Sequence, residues 1–190
     1  MKICGTTSVR DALLAVAAGA DAIGVVLASP SPRSVTPETA REIFAAVPPF
    51  VTRVAVTSTD RPEDLAALLF SRPDAVQVPG GLEVPPDAGV RVIRMLAPGD
   101  APRDDCDAVI VDTSHGTGRA FDPAYARECV AASPVPVILA GGLTPYNVAD
   151  AILAVRPYAV DVCSGVEAAP GIKDERLMRA FVKMSRTMYP

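Results

Sequence analysis

Apolar residues along this chain fall into short continuous runs, separated by longer segments in which they recur every three or four positions. Runs of four to six apolar residues suit strands buried on both faces, and the spaced segments suit helices with a single buried stripe. Strands are expected at residues 1–4, 22–27, 51–56, 75–78, 90–95, 108–111, 137–140 and 158–162. Between them, Thr7-Ser8 opens a helix through Ala12, Leu13, Val16 and Ala17 that ends at Gly19. Thr36-Pro37 opens another, with Ala40, Ile43, Phe44 and Val47 on its buried face. Further helices are expected at 62–70, 122–132 and 174–184. One more is expected to start with Thr144 as cap and Pro145 at its first position, burying Val148, Ile152 and Val155.

The alternation breaks in the middle. Residues 79–89 hold two glycines before their end and several prolines, and 97–106 read APGDAPRDDC, so neither stretch sustains a helix. The helices after strands four and five are therefore expected to be reduced or missing. Strands alternating with helices imply an α/β fold of parallel strands with right-handed crossovers. The expected architecture is a shortened (β/α)8 TIM barrel forming a single domain over residues 1–190, since a full barrel usually takes about 250 residues. An open doubly wound sheet fits less well, because its glycine-rich turn belongs after the first strand and the glycine turns here lie late.

Composition narrows the partners. The formal net charge is −4 and there is no run of Lys or Arg, which disfavours nucleic acid and anionic membranes. Four scattered cysteines (Cys4, Cys106, Cys129, Cys163) and one histidine do not make a zinc motif, so no metal is expected. No apolar run reaches a membrane span and the N-terminus leads straight into a strand, which suggests a cytoplasmic protein with free thiols. Oligomeric state is left open by the sequence.

In a barrel, chemistry gathers at the ends of the strands. Cys4, Arg33, Asp112, Gly141-Gly142 and Ser164-Gly165 all fall there. Two neighbouring strands that each end in a glycine turn present the backbone N–H groups of a phosphate cup. Lys2 and Cys4 share a strand face, so an inward Cys4 brings Lys2 inward, and Asp161 is the expected counter-ion. Lys2 then favours the thiolate of Cys4, a base. Asp112, closing an apolar strand before a glycine-containing loop, is placed as a general acid. Arg33 has the fork for a carboxylate. His115, in that same loop, is given no role.

Several stretches together resemble the phosphoribosylanthranilate isomerase family: KICG at 2–5, GADAIGVVLASPSPRSV at 19–35, VDT at 111–113 with GTG at 116–118 and FD at 121–122, VILAGGLTPYNV at 137–148, and DVCSGVEAAPGIKD at 161–174. The resemblance is collinear across the chain. It implies a (β/α)8 barrel that carries out an Amadori rearrangement in tryptophan biosynthesis, without cofactor or metal, on a small phosphorylated substrate. It also implies Cys4 as general base, Asp112 as general acid, Arg33 on the anthranilate carboxylate, and Gly141, Gly142, Ser164 and Gly165 on the phosphate, with Gln77 and Asp161 beside the substrate. Two positions differ from the family's usual pattern. VQVPG at 76–80 has Pro79 where a histidine is common, and Cys163 replaces a commoner serine. Two alternatives stay open at this level: a paralogue acting on another phosphorylated sugar, and a catalytically silent barrel that binds a phosphorylated metabolite.

Overall fold

The computed structural model describes residues 1–97, 99–112 and 123–189. Its strands are β1 (Lys2–Ile3), β2 (Ala22–Val26), β3 (Thr52–Val56), β4 (Ala75–Val78), β5 (Arg91–Leu96), β6 (Ala108–Asp112), β7 (Val137–Ala140) and β8 (Ala159–Val162). They close in sequence order into an eight-stranded parallel barrel, as expected. Ring closure joins β1 to β8 in the register Lys2↔Asp161 and Ile3↔Val162. Around them lie α1 (Val9–Ala18), α2 (Pro37–Ala46), α3 (Pro62–Phe70), α4 (Pro123–Ala132), α5 (Val148–Val155) and α6 (Glu175–Arg186).

Period-two alternation sorts the strand residues into two nested cores. Val26, Val54, Val56, Ala75, Ile93, Ile110, Ile138 and Ala140 fill the inside of the ring together with Cys4. Ile3, Val25, Ala55, Val76, Val78 and Val160 face outward and pack on the helix stripes, including Ala12, Phe44, Leu68, Ile152 and Phe181. Local chemistry sets the helix starts. Ser8 accepts from Asp11 N at 3.1 Å, Thr36 accepts from Thr39 N at 3.2 Å, and Asp174 accepts from Arg176 N and Leu177 N at 2.8 and 3.0 Å. α1 stops at Gly19, whose φ of 99° is left-handed.

One expected start is corrected. α5 begins at Val148, not at Pro145, because residues 144–147 form a turn held by Asn147. The Asn147 side chain accepts from Thr144 N at 2.7 Å and donates to Gly142 O at 3.0 Å, tying the turn back to the glycine loop.

Among the described residues no helix lies between β4 and β5 or between β5 and β6. The wall is covered by other means. The connection after β4 folds back and inserts Leu82, which is 1% exposed. Arg94, on the outer face of β5, donates to the carbonyls of Pro79 and Leu82 and so pins that loop in place. Farther round, Leu96, Val109, Val111 and Val137 pack against Tyr125, Cys129 and Val130 of α4, and the Tyr125 hydroxyl donates to Ala97 O at 2.6 Å.

A short 3₁₀ turn (Ser164–Val166) follows β8 and leads into a hairpin not expected from the sequence, β9 (Glu167–Ala169) paired with β10 (Ile172–Lys173). Its Pro170-Gly171 turn is an ordinary reversal signal. None of the described helices is long and apolar enough to cross a membrane.

Candidate active site

The site is built upward from a buried polar layer. Strand alternation turns Lys2, Gln77 and Asp161 into the barrel, where Lys2 Nζ donates to Asp161 Oδ1 at 2.8 Å and to Gln77 Oε1 at 2.9 Å. Lys2 is 4% exposed. Burial works against the ammonium, but Asp161 and Cys4 outweigh it and hold the lysine charged, above its usual pKa. The counter-ion expected from the sequence is thus the one observed.

Two residues on, Cys4 is turned to the same side at the mouth of the ring. Gly24 on β2 makes its place: a Cβ there would stand 2.8 Å from Cys4 Sγ and 2.9 Å from Lys2 Cε, closer than any side chain allows. The thiol's pKa is lowered to about 7, chiefly by the Cys163 thiol beside it, with burial opposing and Lys2 assisting. Cys4 therefore has an accessible thiolate at neutral pH.

Arg33, in the loop after β2, is drawn into a network rather than left in solvent. Its Nε and Nη2 fork onto Glu167 Oε1 and Oε2 at 2.8 and 2.6 Å, and Lys173 Nζ reaches the same Oε1 at 2.9 Å. The Glu167 side chain is 4% exposed. Burial resists its ionisation, but Arg33 and Lys173 outweigh that and keep it a carboxylate below the ordinary pKa. The same pairing lifts Arg33 further above its usual value. Among the described residues Nη1 has no hydrogen-bond partner, so one edge of the guanidinium is open to a further acceptor.

The two late glycine turns meet directly. Gly141 and Gly142 after β7 both take left-handed φ values, 94° and 63°. In the turn after β8, a Cβ on Gly165 would lie 1.9 Å from Leu143 O, so the backbones of the two turns are in contact. Ser164 stands beside this junction. Asp112 ends β6 in register with Ala140, the residue before Gly141, and is half-buried. Cys4 and Asp112 thus stand at the same end of one ring, on β1 and β6. His115 and the rest of the loop at 113–122 lie outside the described residues.

Both the sequence and the fold match known proteins. The family model for N-(5'-phosphoribosyl)anthranilate isomerase matches residues 1–184. The chain belongs to that isomerase family. A relative carrying that name from Methanoregula boonei is 54% identical over 187 residues, 98% of this chain and 96% of its own. A crystal structure of the isomerase from Thermus thermophilus superimposes with a TM-score of 0.83 at 39% identity, covering 98% of both chains. Another isomerase structure, 36% identical with a TM-score of 0.79 over 98% of this chain and 97% of that one, holds reduced 1-(o-carboxyphenylamino)-1-deoxyribulose 5-phosphate.

Within this isomerase barrel, the Pro79 carbonyl accepts from Arg94 Nη1 at 3.1 Å. Its backbone there serves the loop that replaces a helix. Glu167 and Lys173 were not singled out from the sequence. The available signal was their placement on either side of Pro170-Gly171, which sets two opposite charges across a reversal.

Proposed function

We propose that this isomerase converts N-(5'-phosphoribosyl)anthranilate to 1-(2-carboxyphenylamino)-1-deoxyribulose 5-phosphate by general acid-base catalysis. Asp112 gives a proton to the furanose oxygen as the anthranilate nitrogen forms a double bond to C1 and the C1–O bond breaks, opening the ring to a protonated imine. The Cys4 thiolate then takes the proton from C2, and the resulting enolamine tautomerises to the aminoketone. Product and substrate are isomers, so no oxidant and no cofactor enters the balance. Arg33, aimed by Glu167, holds the anthranilate carboxylate through its remaining edge. Backbone N–H groups of Gly141, Gly142 and Gly165, with the Ser164 hydroxyl, take the phosphate. Gln77 and Asp161 hold Lys2 beneath the sugar, and Lys2 in turn steadies the thiolate.

The observation that carries this reading is the environment of Cys4, a buried thiol with its pKa lowered to about 7 in a family member whose acid, clamp and glycine turns occur at the same barrel mouth. The four cysteines, all unpaired, support a reducing cytoplasmic setting. The test is turnover of phosphoribosylanthranilate generated in situ, followed by loss of anthranilate fluorescence. Saturable turnover supports the proposal. No turnover by folded protein, or turnover only of another phosphorylated aldose, overturns it.

A further inference from the structure

Cys163 has no part in the chemistry above, yet it stands beside the base. It follows β8 as Cys4 follows β1, and the register Ile3↔Val162 carries the two cysteines side by side, with Cys4 N donating to Val162 O at 2.8 Å. Their side chains fall on one face of adjacent strands, and Cys163 packs against the inner core cluster that holds Cys4. A Cβ on Gly5 would stand 2.7 Å from Cys163 Sγ, so the glycine leaves that thiol its place. Lys173 Nζ fixes Cys163 from the other side, donating to its carbonyl at 3.2 Å and lying 4.0 Å from its sulfur. A thiol has one proton to donate, and a thiolate accepts it better than a thiol does.

We propose that Cys163 is a positioning residue for the base, its S–H donating to the Cys4 sulfur, favouring Cys4 as the thiolate and holding it turned into the barrel. The inference rests on the reading of Cys4 as the base. The electrostatics point the same way. The Cys4 thiol beside it, and then burial, push the Cys163 thiol above the usual range, the direction expected of a donor. The other charged groups that bear on Cys4 are Lys2 of β1, Asp161 of β8, Lys173 of β10 and Arg33 of the loop after β2. Of these only Asp161 disfavours the thiolate, and Lys2 is paired with it at 2.8 Å.

A hydroxyl donates as a thiol does, and a methyl group does not. With the full-length protein isotope-labelled at cysteine Cβ, NMR pH titration follows every thiol separately, and Cys4→Ser assigns the Cys4 signal. In the parent protein Cys4 is expected to titrate at about 7. Cys163→Ala should raise that midpoint by about one unit or more, whereas Cys163→Ser should leave it within about half a unit. The acidic limb of kcat/KM should move with the midpoint in each variant, with KM little changed. A Cys4 midpoint unmoved by Cys163→Ala overturns the proposal, as does Cys163→Ser shifting it as far as Cys163→Ala. Because the titration needs no substrate, the expected midpoints in a protein that failed to isomerise would sink the functional reading and leave the thiol pair standing.

Discussion

A free thiol is mostly protonated at neutral pH, so the interest of Cys4 lies in its company. One neighbour is a second thiol, another carries a buried positive charge, and a glycine opposite leaves it room. With Cys4 as base and Asp112 as acid, Cys4→Ser and Asp112→Asn should each lower kcat by about 10²-fold or more in the fluorescence assay. A near-normal rate in either variant removes that residue from the mechanism. Arg33 acts differently, by binding. Arg33→Ala loses a charge-assisted bond worth about 1.5–3 kcal/mol, so KM should rise about tenfold or more with a smaller change in kcat. Initial-rate kinetics separate the two, and a loss confined to kcat would place the carboxylate elsewhere. At this scale the sequence was most legible where chain geometry alone decides. Lys2 and Cys4 share a face because a strand alternates, and Asp161 meets Lys2 through the same rule applied to β8. Glu167 was not legible, because its contact with Arg33 spans 134 positions and depends on a hairpin lying over the barrel mouth.

Elements show where regularity was given up and what replaced it. The connection from β4 to β5 lacks a helix, yet the outer wall is not bare, because Leu82 fills the groove and Arg94 holds the loop by its carbonyls. Leu82→Ala should therefore behave as a core truncation, costing about 2–5 kcal/mol in urea unfolding even though it lies in a loop. A cost near zero would mean the loop does not seal the wall. The turn after β8 has the opposite problem, too little space. Gly165→Ala sets a Cβ against the Leu143 carbonyl, and the two turns must separate to admit it. The expected result is an overpacking cost of about 1–3 kcal/mol in thermal melting together with a raised KM, because the two turns are proposed to share the phosphate. Full affinity in that variant would dissociate the turns from the phosphate. The loss of two helices was readable from Pro and Gly density. The start of α5 was not, because Asn147 bonds back to Gly142 and Thr144 and delays the helix beyond the proline.

For the whole molecule, the Lys2–Asp161 pair is a cross-tie that closes the ring from β1 to β8, with Gln77 extending it to β4. Asp161→Ala leaves a buried ammonium without its carboxylate, and the expected loss is about 3–5 kcal/mol by urea unfolding at neutral pH. Lys2→Met combined with Asp161→Leu should recover much of it, since paired apolar groups need no solvation. A raised lysine pKa contributes stability in full below the unfolded value and loses it only as pH climbs through the folded one, so a neutral-pH measurement reads the whole effect. An Asp161→Ala variant as stable as the parent would show that the barrel does not depend on the tie.

The sequence by itself determined the order of elements, the closed parallel ring, the missing helices and the residues that end each strand. Those are consequences of short-range periodicity and of what Pro and Gly forbid, and they hold wherever the strands end up in space. Only the tertiary structure decided that Arg33 is braced by Glu167 and Lys173, that two glycine turns touch at Leu143 and Gly165, and that Cys4 lies against a second thiol. Each of those joins residues far apart in the chain. Their meeting is set by the curvature of a closing sheet and by the packing of loops over its mouth, which no local pattern encodes.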